Sequence, residues 1–355
     1  MENIAYLMAG LPKDYEQACY EKGAIVRKRG ISSPADLMML SMFHLQNGCT
    51  LLEISEVARI TKLGAMSDVA FMKRFEKCGN WFRSINEKIA AECLVNYKKP
   101  LWMEGKTLVG MDASDVTEKG RSGRVFRLHY GMDIYKMVSL EQKITTNKIG
   151  ESICNFNLRP KDVVVADRGY ATIKGMAHCE ECGAEYIIRL RKNSFTLRDE
   201  AGKKVDLPAE LAKLNAGECL NFPAYASNSD GESIQMRICA TRKTPDAIEQ
   251  TRKKLRRKES RRQITISDAT KSFNEYIVVV TNLDSSVSAE EVLAAYRLRW
   301  QVEIYFKRLK SLLDFGELPK RRPDSAIAWL NGKMMVALLI EASIAKLSFS
   351  PAAQN

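Results

Sequence analysis

Between Glu290 and Phe315 the chain reads EEVLAAYRLRWQVEIYFKRLKSLLDF, and neither Pro nor Gly interrupts it before Gly316 and Pro319. A run of that length without a breaker is a helix over residues 290–315, stopped by the Gly and Pro that follow. Ser288 is placed to cap it, and Glu290 and Glu291 suit the positive end of the helix dipole. Projected at about 100° per residue, Ala295, Leu298, Val302, Tyr305, Phe306, Leu309, Leu312 and Leu313 share an apolar arc of roughly 120°, wide enough for a core face. Tyr296, Arg299, Glu303 and Lys310 fall within about 60° of one another, on a stripe bordering that arc. A solvated charged face belongs opposite the core. A stripe at its edge is partly buried, and its charges need partners. Trp300 flanks the stripe on a side where a core has no use for it.

The whole chain has 355 residues, enough for two or three domains. Its formal net charge of +12 favours a polyanionic partner. Much of the excess sits in one tract, Arg252 to Arg262, with eight basic residues and one acidic. The nine Cys are odd in number and scattered, and no signal peptide is recognisable, so they read as reduced thiols in a cytoplasmic protein. The longest apolar stretch, Met334 to Ile340, falls far short of the roughly 20 residues of a membrane span, so no membrane partner is expected.

Residues 1–99 read as all-helical. Ser33-Pro34 starts one helix up to Gly48, Thr50 to Ile60 forms a second, and Ser67 caps a third in which Val69, Met72 and Phe75 face inward. Two helices around the turn at Leu63-Gly64-Ala65 have the outline of a helix-turn-helix, with Lys73, Arg74 and Lys77 pointing outward. A plain helical bundle gives the same outline.

Past Leu101 the pattern changes. Thr107 to Met111 is an apolar strand ending at Asp112. Val125 to Met132 and Tyr135 to Ile144 read as strands, and Lys148 to Phe156 as a helix. Asp162 to Ala166 is a fully apolar strand ending at Asp167-Arg168-Gly169-Tyr170. A helix over Thr172 to Glu181 and a strand over Ala184 to Leu190 follow. Two strands thus end in a carboxylate. An Asp in that position is commonly a turn former, and Asp115 competes with Asp112. A third carboxylate from a packed helix would complete a set that holds two Mg²⁺, hard cations that prefer oxygen ligands. Two metals stabilise the attacking and leaving oxygens of a phosphoryl displacement. Cys179 and Cys182 beside His178 lack the second pair that a zinc site uses.

The spacing Tyr296, Arg299, Glu303, Lys310 resembles the Y-R-E-K signature of bacterial insertion-sequence DDE transposases of family four. VGMDASDVT at Asp112, VVVADRGY at Asp167 and RLHY at Arg127 to Tyr130 are also similar to stretches of that family. The resemblance implies an α/β fold: a ribonuclease-H-like catalytic domain with an inserted β-rich subdomain, preceded by an all-helical N-terminal domain. It divides the chain into a DNA-binding domain (1–99), the catalytic domain in two parts (101–192 and 270–347) and a β-rich insertion with the basic helix (193–269). Within the insertion, a hairpin over Phe195 to Leu207, strands over Glu218 to Tyr225 and Ser233 to Thr241, and a helix over Ala247 to Arg262 are expected. A strand over Asn274 to Leu283 then resumes the sheet. An apolar helix over Asp324 to Leu347 is expected to pack on the catalytic domain.

The resemblance further implies that Asp112, Asp167 and Glu303 are catalytic and hold two Mg²⁺, with Mn²⁺ able to substitute. Tyr296, Arg299, Trp300 and Lys310 would hold the transposon end, with Lys73 and Arg74 as further DNA contacts. The implied partners are double-stranded DNA (inverted-repeat ends and target) and a second copy in a homodimeric DNA complex; the implied setting is the nucleoid. Family members often run further at the C-terminus with helices that pair two subunits. A catalytically silent DNA-binding relic and a nuclease of the same fold are the alternative expectations.

Overall fold

The computed structural model describes residues 2–46, 48–92, 99–118, 125–136, 138–192, 194–227, 233–304, 317–318 and 322–348. Among the described residues before Leu101 the helices are α1 (Glu2–Ala9), α2 (Tyr15–Glu21), α3 (Pro34–Gln46), α4 (Leu51–Ile60), α5 (Asp68–Phe75) and α6 (Gly79–Glu92). Side-chain caps fix where they start. Ser33 accepts the Asp36 N–H ahead of Pro34, Thr50 and Glu53 form a reciprocal capping box, and Ser67 accepts the Ala70 N–H. The inward phase of α5 differs from expectation. Val69 is 48% exposed, and Phe71 and Phe75 are buried against the His44 ring. Two aromatic rings bury more apolar surface than Val and Met, and they set the helix rotation.

The rest of the chain builds a mixed α/β architecture in the order β1 (Thr107–Glu118), β2 (Val125–Asp133), β3 (Val138–Thr146), β4 (Asp162–Ala166), α7 (Ile173–Glu181), β5 (Glu185–Arg189), α8 (Leu207–Ala212), β6 (Cys219–Ser227), β7 (Ser233–Arg242), α9 (Pro245–Arg262), α10 (Asp268–Phe273), β8 (Tyr276–Thr281), α11 (Ala289–Leu298), β9 (Glu317–Leu318) and α12 (Pro323–Ser348). One sheet runs β3-β2-β1-β4-β5-β8-β7-β6, with β9 paired to the far end of β1. The first three strands are antiparallel, β4 and β5 run parallel to β1, and β8, β7 and β6 return antiparallel.

Alternation along the strands sorts two cores onto the two faces. Leu108, Val116, Val163, Val165 and Ile187 join one core with the N-terminal helices, α11 and α12. Val109, Met111, Val164, Ala166 and Ile188 join the other, with α7. The strands of the 193–269 segment therefore extend the central sheet: β7 pairs with β8 from Arg237↔Thr281 to Arg242↔Tyr276.

Four further expectations change. β1 does not stop at Asp112 but continues to Glu118, because β2 pairs along it as far as Thr117. The helix expected over Lys148 to Phe156 is a single 3₁₀ turn, Ile153–Asn155, started by Ser152. α8 was not foreseen, although Asp206 caps it and Pro208 sits in its first turn. α12 packs on α3 and α6, not on the sheet alone, and Glu76 anchors its start through Ser325 (2.8 Å) and Arg322 (3.5 Å). No helix among the described residues is long and apolar enough to cross a membrane.

Candidate active site

The register of β1 against β4 sets the centre of the site. Their last parallel pair is Met111↔Ala166, so Asp112 and Asp167 follow side by side where β4 ends and β1 runs on, about 4.8 Å apart at ordinary strand spacing. Asp112 has the parity of Leu108 and Val116, which places it on the face covered by α11. Asp115, of opposite parity, is spent in an ion pair with its cross-strand neighbour Arg127 at 2.8 Å. That removes it from competition for the first carboxylate position.

α11 delivers the remaining groups. Ser288 and Glu291 close a capping box at its start. The helix is not continuous as expected. At Arg299 the hydrogen bonds tighten, Arg299 N–H to Tyr296 C=O (3.1 Å) and Val302 N–H to Arg299 C=O (3.0 Å), and residues 300–304 resume as helix. Beyond them, Tyr305 to Phe315, and with it Lys310, lies outside the described residues. The resumed helix presses onto β1 at a glycine. A Cβ on Gly110 would come within 2.4 Å of Val302 Cγ2 and 2.9 Å of Ile134 Cδ1. With hydrogen there instead, Glu303 is carried down toward Asp112, two residues along the same face.

Four of the expected residues meet in this corner with Tyr296. Arg299, only 8% exposed, donates from Nη2 to Glu303 Oε1 at 2.5 Å. Its guanidinium lies 5.9 Å from the centroid of the Tyr296 ring, and its Nε is buried with no hydrogen-bond partner among the described residues. Burial opposes the Arg299 charge, but the Glu303 hydrogen bond and the Asp167 and Glu303 carboxylates outweigh it and raise its pKa above the usual guanidinium value. Burial pushes the Asp112 carboxyl up to about 6; the Ala113 N–H and Arg299 act against the rise, and Glu151 and Glu303 add to it. Burial also raises the Tyr296 phenol, with Arg189 and Arg299 opposing. Asp167 Oδ1 is buried without a hydrogen-bond partner among the described residues.

The other expected residues lie outside this cluster. Trp300 is half exposed on the flank. Lys73 is exposed on α5. Arg74 is turned inward on the helical side, donating to the carbonyls of Arg27 (3.2 Å) and Arg29 (2.9 Å).

Two neighbours were missed in the sequence. Glu151 projects over Gly169, its Oε2 2.6 Å from where a Cβ would sit, and its charge reaches Asp112 and the buried Tyr170 hydroxyl. Arg189 ends β5, the parallel strand beside β4, and faces Tyr296 electrostatically. A charged residue closing the next parallel strand was a readable signal for Arg189; for Glu151, in an irregular segment, there was none. Beside Asp167 a cleft of about 450 Å³ is lined by Arg168, Arg189, Arg191, Lys192, Lys258 and Tyr276. Five cationic side chains line it, and burial, with two of them, Arg189 and Arg168, adding to its effect, lowers the nearby Lys243 ammonium to about 8. α9 contributes Lys258 and is held to the sheet by Arg252, which donates to the buried Glu275 at 2.5 Å.

The donors fit a hard divalent cation in part. Asp112 and Asp167 offer adjacent oxygens, one of them unbonded, in a pocket with surplus negative charge. Glu303 is held by Arg299, and among the described residues no three acidic, His or Cys side chains form a set that could hold one ion.

Residues 119–339, more than half of the chain, match the family described as transposase DDE domain; Asp112 lies just before the matched span. The chain is 27% identical over 352 residues to a protein assigned as transposase InsL for insertion sequence element IS186A of Escherichia coli K12, covering 96% of this chain and 94% of that one. It is 27% identical over 353 residues to the transposase for insertion sequence element IS421 of Escherichia coli, with the same coverage. It is 28% identical over 210 residues to the transposase for IS231F of Bacillus thuringiensis subsp. israelensis, covering 55% of this chain and 44% of that one. The chain belongs to the transposase DDE-domain family and is an enzyme of DNA transposition.

Proposed function

We propose that this transposase cuts DNA at the ends of its insertion sequence and joins the freed 3′-OH to target DNA, with Asp112, Asp167 and Glu303 as its catalytic carboxylates. The observation that carries the reading is the meeting of Asp112 and Asp167 at the β1–β4 register, with Glu303 lowered toward them over Gly110. The strand order β3-β2-β1-β4-β5, with β4 and β5 parallel to β1, supports a ribonuclease-H-like domain. The Tyr296-Arg299-Glu303-Lys310 spacing supports membership of the family-four subgroup.

In the first step, water attacks a phosphodiester at the element's end; the P–O3′ bond breaks, leaving a 3′-OH and a 5′-phosphate. In the second, that 3′-OH attacks a target phosphodiester and displaces a target 3′-oxygen, so the number of ester bonds is conserved. Two Mg²⁺, or Mn²⁺, held by the three carboxylates would supply charge stabilisation for the attacking and leaving oxygens. The protein's own part is placement. Tyr296, Arg299 and Lys310 grip backbone phosphates, and Trp300 stacks on an unstacked base, a contact worth about 1–3 kcal/mol.

The cleft lined by Arg168, Arg189, Arg191, Lys192 and Lys258 suits a DNA backbone entering beside Asp167. Residues 1–99, with Lys73 on α5, are assigned to end recognition, and 193–269 with the basic helix α9 to the element's flank; Arg74, expected beside Lys73 as a DNA contact, is instead bound to the Arg27 and Arg29 carbonyls. The complex is read as a homodimer on cytoplasmic, nucleoid DNA.

The test is a strand-transfer assay on the inverted-repeat DNA flanking this gene, in Mg²⁺ and in Ca²⁺, beside Glu303→Gln. Joined products in Mg²⁺ that vanish in the variant support the reading. Cleavage without joining favours a nuclease, and binding without cleavage in either metal favours a silent relic.

A further inference from the structure

We propose that Arg299 is a positioning residue that keeps Glu303 away from the metal until DNA is bound, so that the third carboxylate becomes available only in the substrate complex. The inference rests on the transposase reading and adds to it an order of events.

Three independent features carry it. First, Arg299 Nη2 holds Glu303 Oε1 at 2.5 Å, and among the described residues no three acidic, His or Cys side chains form a set that could hold one ion. Asp112 and Asp167 are fixed by the strand register, whereas Glu303 reaches the site from a helix. Second, the guanidinium is built to exchange partners. It is 8% exposed, so its charge must be balanced where it stands, yet among the described residues its Nε has no hydrogen-bond partner. A phosphate at this place could take Nε and a terminal N–H together as a fork, the geometry that guanidinium groups favour. Third, the helix is already interrupted at this residue: Leu298 closes α11, the hydrogen bonds across Arg299 have i to i+3 spacing, and Glu303 lies one turn beyond. Glu303 thus stands beyond a break, where its side chain can turn without disturbing the hydrogen bonds of α11.

In the free enzyme the guanidinium stands in for the cation: it holds Glu303 and faces Asp112 and Asp167 electrostatically. An incoming DNA phosphate competes for the same N–H groups. As it takes them, Glu303 loses its partner and turns to the cation beside Asp112 and Asp167. Metal and DNA then bind with positive coupling, and by linkage each tightens the other. The consequence is protective, because a free enzyme with an incomplete metal site does not nick DNA that lacks the correct end.

The experiment is a Mn²⁺ titration of the full chain by electron paramagnetic resonance, without DNA, on the wild type, Arg299→Gln, Glu303→Gln and the double variant. Arg299→Gln is expected to bind Mn²⁺ about tenfold or more tightly than wild type, since a charge-assisted hydrogen bond no longer competes for Glu303. Glu303→Gln alone is expected to match wild type, and the double variant to lose the gain. Duplex carrying the element's end should tighten Mn²⁺ binding in the wild type and not in Glu303→Gln. Arg299→Lys, which keeps the charge and loses the fork, should fall between wild type and Arg299→Gln, and provides the comparison should the Gln variant fold poorly. The idea is overturned if Arg299→Gln and Arg299→Lys bind Mn²⁺ no tighter than wild type, or if Glu303→Gln already weakens binding without DNA. Either outcome leaves the strand-transfer result standing on its own, and a failed strand-transfer assay does not alter the titration.

Discussion

Asp112→Asn isolates the energetic cost of building this site. The fold raises the Asp112 carboxyl from 3.8 to about 6, chiefly by burial. At about 1.4 kcal/mol per unit that is up to about 3 kcal/mol of preference for the protonated form. The native state therefore binds this proton more tightly than the unfolded chain does. The associated stability is fully present below 3.8 and is lost as pH rises through about 6. At about pH 8 and without metal, the wild type carries the whole penalty of an ionised, buried carboxylate.

Asn removes the charge and keeps an oxygen for the Ala113 N–H, which now bonds Asp112 Oδ1 at 2.9 Å. The variant should thus be more stable than the wild type by about 2–3 kcal/mol at about pH 8 in chelator, with the advantage shrinking toward zero by about pH 4. Urea unfolding at a series of pH values, followed by circular dichroism, reads the difference directly. A stability difference that does not change with pH, or a variant that is less stable throughout, would refute the argument that burial of this carboxylate is the dominant cost.

Gly110→Ala tests how the helix reaches the sheet. Its new Cβ would clash with Val302 Cγ2 and Ile134 Cδ1, costing about 1–3 kcal/mol by overpacking, and strand transfer should fall by more than stability does because Glu303 is lifted; unfolding and joining assays on one preparation separate the two. Lys73 and Arg74, adjacent on α5, should part company. Arg74→Ala should destabilise the protein by about 0.5–1.5 kcal/mol, since the Arg27 and Arg29 carbonyls lose the Arg74 guanidinium. Lys73→Ala should leave stability unchanged and lower the salt slope of DNA binding by about 1.

Much of the sheet was legible because short apolar runs bounded by turns have few other fates: β4 falls where DVVVA predicts it, and β6, β7 and β8 within a few residues. Asp112 was legible as a carboxylate following an apolar run but not as a mid-strand residue. Its exposure to the site arises because its parallel neighbour ends, and that is a property of β4. The break at Arg299 had no signal, since Arg299 keeps helical angles (φ −51, ψ −29) and no Gly or Pro marks it. It follows from the close packing of Val302 on Gly110, two segments far apart in sequence. The partner of α12 was illegible for a related reason. A helix that is apolar all round announces burial without saying against what, and here the answer is a core shared by α3, α6 and the sheet.

The charge arrangement at the site accounts for why a row of four residues at a helix edge could be read at all. Asp112, Asp167, Glu303 and the newly placed Glu151 crowd one corner, and Arg299 is the cation that meets three of them. An acidic corner of this kind is costly in a low-dielectric setting unless positive charge enters it. The sequence supplies the Arg299 guanidinium from within; on the proposed reading a divalent cation would supply more from without, and the flanking cleft of Arg168, Arg189, Arg191, Lys192 and Lys258 would attract the polyanion that competes for Arg299. The stripe Tyr296, Arg299, Glu303 lies at the edge of the core for that reason. Deeper, Glu303 could not exchange partners; fully solvated, Arg299 would hold it too weakly to matter.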